Sequence, residues 1–134
     1  MSIDRLAGIG SLVVVGTCVI IGLFLAGSPY DQRLKRLDKQ RVSDLRRVVY
    51  AIDENWTGNN ALPAVLPELV DGRTLRRLPS DPVTGIPYEY EIVDAGRYRL
   101  CAEFATARDA YSDDDFWTHP KGRHCFALEA KRRN

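Results

Sequence analysis

The sequence is poor in the residues that most often carry catalysis or bind metals. Its 134 residues include three cysteines and two histidines. No CxxC pair and no HExxH motif occurs among them, although zinc sites and metalloproteases are recognised by such spacings. A lone thiol also needs a positioned base to act as a nucleophile. We therefore expect no enzymatic activity and no cofactor. His119 and His124 beside Cys125 leave a small metal-binding or enzymatic domain as an alternative.

The chain also lacks an excess of charge of either sign. It contains 19 lysine and arginine residues and 18 aspartate and glutamate residues, for a formal net charge of +1. Nucleic-acid-binding domains normally show a basic surface together with a recognisable reading motif. The composition therefore predicts no nucleic-acid partner, and the motifs indicate no small-molecule substrate.

The most informative absence is that of charge near the N-terminus. No charged residue lies between Arg5 and Asp31, a run of 25 residues. A helix rises about 1.5 Å per residue, so this run exceeds the roughly 30 Å of a bilayer's hydrocarbon core. The sequence predicts one transmembrane helix, Leu6 to Tyr30, within an anchor region 1–30. A cleaved signal peptide is the alternative, because residues 25–28 include small side chains that suit a peptidase, but the apolar run is long for one.

Two contact surfaces are predicted around this anchor. Small residues recur every four positions at Cys18, Gly22 and Ala26, so another transmembrane helix would be able to approach this face closely. Small residues are also common in membrane helices without such a role. Basic side chains follow the anchor at the depth of anionic lipid headgroups, although they would equally suit a solvated helix face. These basic residues are Arg33, Lys35, Arg36 and Lys39. The predicted partners are the bilayer and other integral membrane subunits.

Beyond the anchor the pattern predicts an α+β domain. Apolar residues keep helical spacing from Asp31 to Trp56 with charged residues on the opposite face, which indicates an amphipathic helix within 31–60. Residues 61–134 predict a short helix at 62–70 and then an antiparallel sheet that begins with alternating residues at 88–92. We expect one face of the sheet to pack on the long helix, because this buries the apolar faces of both elements.

The last two predicted strands each contain a cysteine. Segments 97–105 and 122–130 alternate with period two, and each cysteine lies on the face opposite the aromatic and aliphatic residues. Antiparallel pairing in the right register would set Cys101 beside Cys125. We therefore predict a disulfide that closes a loop of about 25 residues and contributes about 3 kcal/mol. Two buried free thiols are the alternative.

Two features of the sequence conflict about the side of the membrane on which the domain lies. The basic run after Tyr30 outweighs Arg5 before the anchor, which by the positive-inside tendency places the domain in the cytoplasm. A disulfide, by contrast, persists outside the reducing cytoplasm. We follow the cysteines and predict an inner-membrane protein with a periplasmic domain.

The loop between the cysteine strands offers two further candidate sites. Asp113, Asp114 and Asp115 supply the oxygen ligands that calcium prefers, although charge runs usually face water. Phe116 and Trp117 are large aromatic residues in a polar loop. They either close the edge of the core or form a contact surface for another protein.

From Leu62 onward the chain resembles the type IV pilins and the pseudopilins of type II secretion. The likeness rests on Leu62-Pro63 and the leucine-rich segment after it, on Leu78-Pro79-Ser80-Asp81-Pro82 with Gly85 and Pro87-Tyr88-Glu89-Tyr90, and on Gly96-Arg97-Tyr98. It covers about half of the chain and implies a pilin-like domain, in which an amphipathic helix carries a small antiparallel sheet. Pilins also carry a leader site and a glutamate in their apolar segment. Here no leader site is evident and Leu6 to Tyr30 has no acidic residue, so the resemblance implies the architecture rather than the processing.

Together these features predict a non-catalytic structural or accessory subunit of a larger membrane-protein complex. A respiratory, photosynthetic, secretion or other envelope assembly would suit it. The anchor would dock against other membrane helices while the domain makes protein contacts. A pseudopilin-like subunit of a secretion or pilus filament is the alternative.

Overall fold

Two α-helices precede a three-stranded sheet along the chain. The computed structural model describes residues 3–109 and 115–132. The elements are helix α1 (Ile3–Ala26), helix α2 (Pro29–Asn59), a 3₁₀ turn (Leu66–Leu69) and strands β1 (Glu89–Ile92), β2 (Arg97–Phe104) and β3 (Gly122–Glu129). Residues 1–33 and 34–134 form two separate compact units. The α+β class expected from the sequence is confirmed.

Helix α1 exposes its apolar side chains. Its most apolar stretch has none of its residues buried, and the large aliphatic and aromatic side chains from Ile9 to Leu25 are each more than half exposed. By length and composition α1 is able to cross a bilayer, and a signal sequence meets the same criteria.

The two helices are separated by a short break that the sequence explains. Gly27 has a φ of +75°, in the left-handed region that commonly ends helices at glycine. Pro29 then opens α2, where its missing N–H is not needed. Helix α1 therefore ends at Ala26, before the predicted boundary at Tyr30, and α2 extends slightly beyond both ends of the predicted amphipathic helix.

The core of the second unit lies between α2 and the inner face of the sheet. Helix α2 contributes Val42, Leu45, Val48, Ala51 and Ile52, and the sheet contributes Tyr98, Leu100, Ala102, Phe104 and Phe126. Leu66, Leu69, Leu75 and Tyr88 from the connecting segment complete the same cluster. Alternation along β2 thus places its large apolar residues against the helix, as the period-two pattern predicts.

Strand β2 is the centre of an antiparallel sheet in the order β1-β2-β3. All three predicted strands are present. The predicted short helix at 62–70 is wrong in extent, since only one 3₁₀ turn forms at Leu66–Leu69. Pro63 and Pro67 each remove a backbone donor, and a residue that precedes proline disfavours the helical region. Val65, the residue before the turn, is extended, with φ −141° and ψ 148°.

Candidate functional site

The predicted disulfide joins β2 to β3 on the face of the sheet opposite the core. Cys101 and Cys125 are direct partners in the strand register, and their Cα atoms lie 4.0 Å apart. Arg123 lies over the bond, with Nη2 3.7 Å from Sγ of Cys101 and 2.6 Å from a carboxylate oxygen of Glu89. The prediction of this disulfide is confirmed, and an ion pair covers it.

Phe116 and Trp117 form an aromatic cluster with Phe126 of β3. The Trp117 and Phe126 ring centroids are 4.8 Å apart, and those of Phe116 and Phe126 are 5.8 Å apart. Trp117 packs against the core, and the guanidinium of Arg46 lies 5.5 Å above its ring. Phe116 is 49% exposed. Trp117 therefore closes the edge of the core, while Phe116 exposes its ring to solvent, and a contact with another protein stays a prediction.

The acidic run beside this cluster falls largely outside the described residues, which exclude Asp113 and Asp114. Asp115 forms an ion pair with Arg108 at 2.9 Å and accepts a hydrogen bond from the Trp117 N–H at 3.2 Å. Within 3–109 and 115–132, no three histidine, cysteine or acidic side chains gather as a metal site would require. Asp115 therefore links the segment at Arg108 to the segment at Trp117. Calcium binding by the acidic run stays a prediction.

Both histidines pack against phenylalanine rings. The His119 ring is buried and stacks on Phe104, with centroids 3.6 Å apart, and its Nδ1 lies 3.3 Å from the Pro120 carbonyl oxygen. Burial lowers the pKa of His119, so the ring is uncharged at neutral pH. The His124 ring contacts Phe126 edge-on at 4.8 Å. These contacts give both side chains a packing role.

A groove of about 800 Å³ lies between α2 and the segment that follows β2. We call it the basic groove. Its charged lining residues are Lys35, Lys39, Arg46 and Arg108, together with Asp38 and Asp109. Three of the cations belong to α2. Lys39 follows Lys35 by four positions and Arg46 follows Lys39 by seven, so the three share one helix face. Such a groove suits an anionic group, and it contains two of the four residues predicted to contact lipid headgroups. The other two, Arg33 and Arg36, are exposed on the same helix.

Beside the basic groove lies a buried ionic network that periodicity did not reveal. The helical pattern placed Asp38 and Arg41 on the solvent face, and this assignment is wrong. Arg41 donates from Nε to Asp81 at 2.6 Å and from Nη1 to Asp38 at 2.8 Å. Asp38 also accepts from the backbone N–H groups of Ala105 and Thr106, at 3.0 and 2.8 Å. The network joins α2 to the end of β2 and to the proline-rich turn.

The hydrogen bonds of this network outweigh the cost of burying its carboxylates. Burial by itself raises the pKa of Asp81. The hydrogen bonds from Arg41 and from two backbone N–H groups have the larger, opposite effect and lower the pKa to about 2. Bonds from Thr106, Ala105 and Arg41 likewise hold the pKa of Asp38 below its usual range against the effect of burial. Both groups are therefore ionised at neutral pH, and their role is structural.

The small-residue stripe on α1 is open to its surroundings. Cys18 is exposed and is a free thiol. A Cβ added at Gly22 would meet nothing within 4 Å, and Ala26 is the last residue of the helix. Within the described chain nothing covers Cys18 or Gly22, and a contact with another membrane helix stays a prediction.

No family model, curated protein or solved structure matches this chain significantly.

Proposed function

We propose that this protein is a non-catalytic, single-pass membrane subunit whose disulfide-bonded domain makes protein contacts outside the cytoplasm, within a larger envelope assembly. One observation carries the proposal. Helix α1 keeps its apolar side chains exposed, while residues 34–132 bury a core of their own. A surface helix of a soluble protein buries an apolar stripe against its core. A helix that is apolar all round needs lipid or other membrane helices around it.

The disulfide supports the extracytoplasmic location of the domain. Cys101 and Cys125 face each other in the strand register, with their Cα atoms 4.0 Å apart, so the bond forms within the paired strands. Such bonds persist in oxidising compartments and are rare in the cytoplasm. The periplasm, which borders the inner membrane on its outer side, fits this requirement.

Three surfaces support a role in contacts rather than in chemistry. The Cys18 and Gly22 face of α1 is open to another membrane helix. Arg33 and Arg36 are exposed a few residues after α1, where they would reach anionic headgroups of the bilayer. Phe116 presents an exposed ring to a protein partner.

Anchoring is tested by alkaline carbonate extraction of membranes, combined with intact mass measurement of the full chain. We expect the protein to stay in the membrane pellet with α1 retained. A protein released into the supernatant with a mass that lacks α1 would show that this segment is a signal peptide, and the proposal would fail.

Orientation is tested in a Cys18→Ser variant, in which Cys101 and Cys125 are the only cysteines left. A membrane-impermeant maleimide applied to cells with a permeabilised outer envelope should label the domain only after reduction. Labelling that occurs only after lysis, and without reductant, would place free thiols in the cytoplasm and overturn the location. Cofractionating proteins identified after mild detergent extraction and crosslinking would name the assembly.

A pseudopilin-like filament subunit is the second candidate. The segment that carries the resemblance is bound to α2: Asp81 pairs with Arg41, and the Tyr88 hydroxyl donates to Asp44 at 3.3 Å. This arrangement supports a pilin-like domain. A trimmed and N-methylated N-terminus, together with sheared filaments that contain the protein, would favour this candidate over the first. An untrimmed terminus would favour the accessory subunit.

A further inference from the structure

The two sulfur atoms of the Cys101–Cys125 disulfide have different surroundings. Cys101 of the central strand is the register partner of Cys125 of β3 on one side and of Glu89 of β1 on the other. Residues directly opposite in paired strands share one face of the sheet. The three side chains therefore form a row across the outer face. The S–S bond has the edge strand β3 at one end and the side of β1 at the other.

The sulfur of Cys101 is covered. Arg123 reaches from β3 towards β1, with Nη2 2.6 Å from a carboxylate oxygen of Glu89 and 3.7 Å from Sγ of Cys101. Cys101 is only 4% exposed. A thiolate that approaches this sulfur along the line of the S–S bond comes from the side of β1, where it meets the ion pair and the negative charge of Glu89. Attack on Cys101 is therefore disfavoured by contact and by charge.

The sulfur of Cys125 is reached from open space. Cys125 is partly exposed. It lines a depression of about 620 Å³ together with its β3 neighbours and the segments that flank the Arg108–His119 bridge, whereas Cys101 does not line it. An approach to Cys125 along the S–S line comes from the outer side of β3. The rate of thiol–disulfide exchange depends on which sulfur is attacked and on access to it, so access favours attack on Cys125.

Arg123 also favours Cys101 as the leaving group. When a disulfide is attacked, the other sulfur departs with the electron pair as a thiolate, and a lower thiol pKa makes it leave faster. A neighbouring cation lowers the pKa of a cysteine thiol. The Arg123 guanidinium contacts Sγ of Cys101, so it stabilises the Cys101 thiolate. Access and leaving-group stability thus favour the same direction of reaction.

We propose that the Cys101–Cys125 bond is a site of thiol–disulfide exchange with a dithiol reductant, which attacks Cys125 and releases Cys101 as a thiolate beside Arg123. In the first step the attacking thiolate bonds to Sγ of Cys125, and the electron pair of the S–S bond goes to Sγ of Cys101. The second thiol of the reductant then displaces Cys125 and closes the oxidised dithiol. The two protons of the dithiol end on the two cysteines. This activity does not depend on the proposed membrane role.

The first experiment identifies the attacked sulfur in the full chain, carried in detergent micelles as the Cys18→Ser variant. The folded protein reacts with mercaptoethanol, a neutral monothiol, and is then quenched with acid, alkylated and mapped by mass spectrometry. We expect the mercaptoethanol adduct on Cys125 and the alkyl label on Cys101. An adduct mainly on Cys101, comparable adducts on both cysteines, or no reaction of the folded protein would overturn the proposal.

The second experiment measures how Arg123 affects the rate of reduction by dithiothreitol at fixed pH. Arg123→Gln should slow the reaction about threefold to tenfold, because the Cys101 thiolate loses its cation. The matched control Arg123→Lys keeps the charge and should react faster than Arg123→Gln. A merely structural role predicts the opposite sign, since loosened strands expose the bond and speed its reduction. An Arg123→Gln variant that reacts as fast as the parent protein, or faster, would contradict the assigned role.

A third measurement follows the thiolate directly. In the variant C18S/C125S the only cysteine is Cys101, and the ultraviolet absorbance of its thiolate against pH gives the thiol pKa. Adding Arg123→Gln should raise this pKa, while adding Arg123→Lys should raise it less. Denaturant unfolding confirms that each variant is folded. An unchanged pKa in the folded Arg123→Gln variant would show that Arg123 does not stabilise the leaving thiolate.

Discussion

Helices α1 and α2 differ in what they expose and what they bury. Helix α1 exposes leucine, isoleucine and phenylalanine side chains along its length, whereas α2 buries Asp38, Arg41, Asp44 and Asp53 beside its aliphatic residues. The difference follows from the partners that each helix meets. No described residue covers α1, while Asp81 and the backbone of 105–106 supply partners for the charges of α2. Hydropathy therefore indicates the surroundings of α1, but only specific partners explain what α2 buries.

The largest test of this contrast places charge on α1. Replacing Ile20 and Ile21 with arginine should disfavour insertion by about 5–7 kcal/mol, because each arginine at the centre of a membrane helix costs about 2.5–3.5 kcal/mol. Carbonate extraction should show loss of the protein from the membrane pellet. The control Ile20→Leu with Ile21→Leu should remain in the pellet. Full retention of the arginine variant would break the assignment of α1 to lipid.

Removing the buried cation from α2 should have the next largest effect. Arg41→Leu leaves the carboxylates of Asp38 and Asp81 without their shared partner, and breaking a buried pair costs about 3–5 kcal/mol. Denaturant unfolding followed by the fluorescence of Trp56 and Trp117 measures this loss. Arg36→Leu, an exposed arginine on the same helix, should change stability by less than about 0.5 kcal/mol. Similar losses in the two variants would show that the network is not stabilising.

Opening the disulfide should cost about 3 kcal/mol, by the chain-entropy estimate for a loop of this length. The variant carries Cys101→Ser and Cys125→Ser and is compared with wild type by denaturant unfolding. Cys18→Ser should leave the stability of the domain unchanged, because Cys18 lies on α1, outside the folded core. A domain equally stable without the bond would mean that the α2 network and the core suffice.

The smallest predicted effect is a loss of stability in acid. The pKa of Asp81 is about 2 in the folded protein and 3.8 in the reference state. The ionised carboxylate, with its bonds from Arg41 and two backbone N–H groups, therefore stabilises the fold fully above about pH 4. This contribution, on the order of 2 kcal/mol, is lost as the pH falls towards 2. Asp81→Asn should lower stability at neutral pH and flatten the decline between pH 4 and 2. An unchanged slope in the variant would assign the acid sensitivity to other carboxylates.

Features set by local patterns were predicted correctly from the sequence. The uncharged run identifies α1, helical spacing identifies α2, and period-two alternation places Cys101 and Cys125 on one face of paired strands. The helix predicted at 62–70 is longer than the observed 3₁₀ turn at Leu66–Leu69, because Pro67 as well as Pro63 interrupts the helical hydrogen bonds. For Phe116 and Trp117, two large aromatic residues in a polar loop predicted either a plug at the edge of the core or a contact surface. The sequence did not indicate which of the two rings would be buried.

The sequence by itself determined which segments are apolar, where helices and strands occur and which cysteines are able to meet, since these depend on residue spacing within or between regular elements. The tertiary structure alone decided that Arg41 joins Asp38 to Asp81, which lies 40 residues away along the chain, and that β3 lies at the edge of the sheet. Both depend on which distant segments come together, and periodicity carries no such information. Burial of a charge is decided by the partner that it meets there.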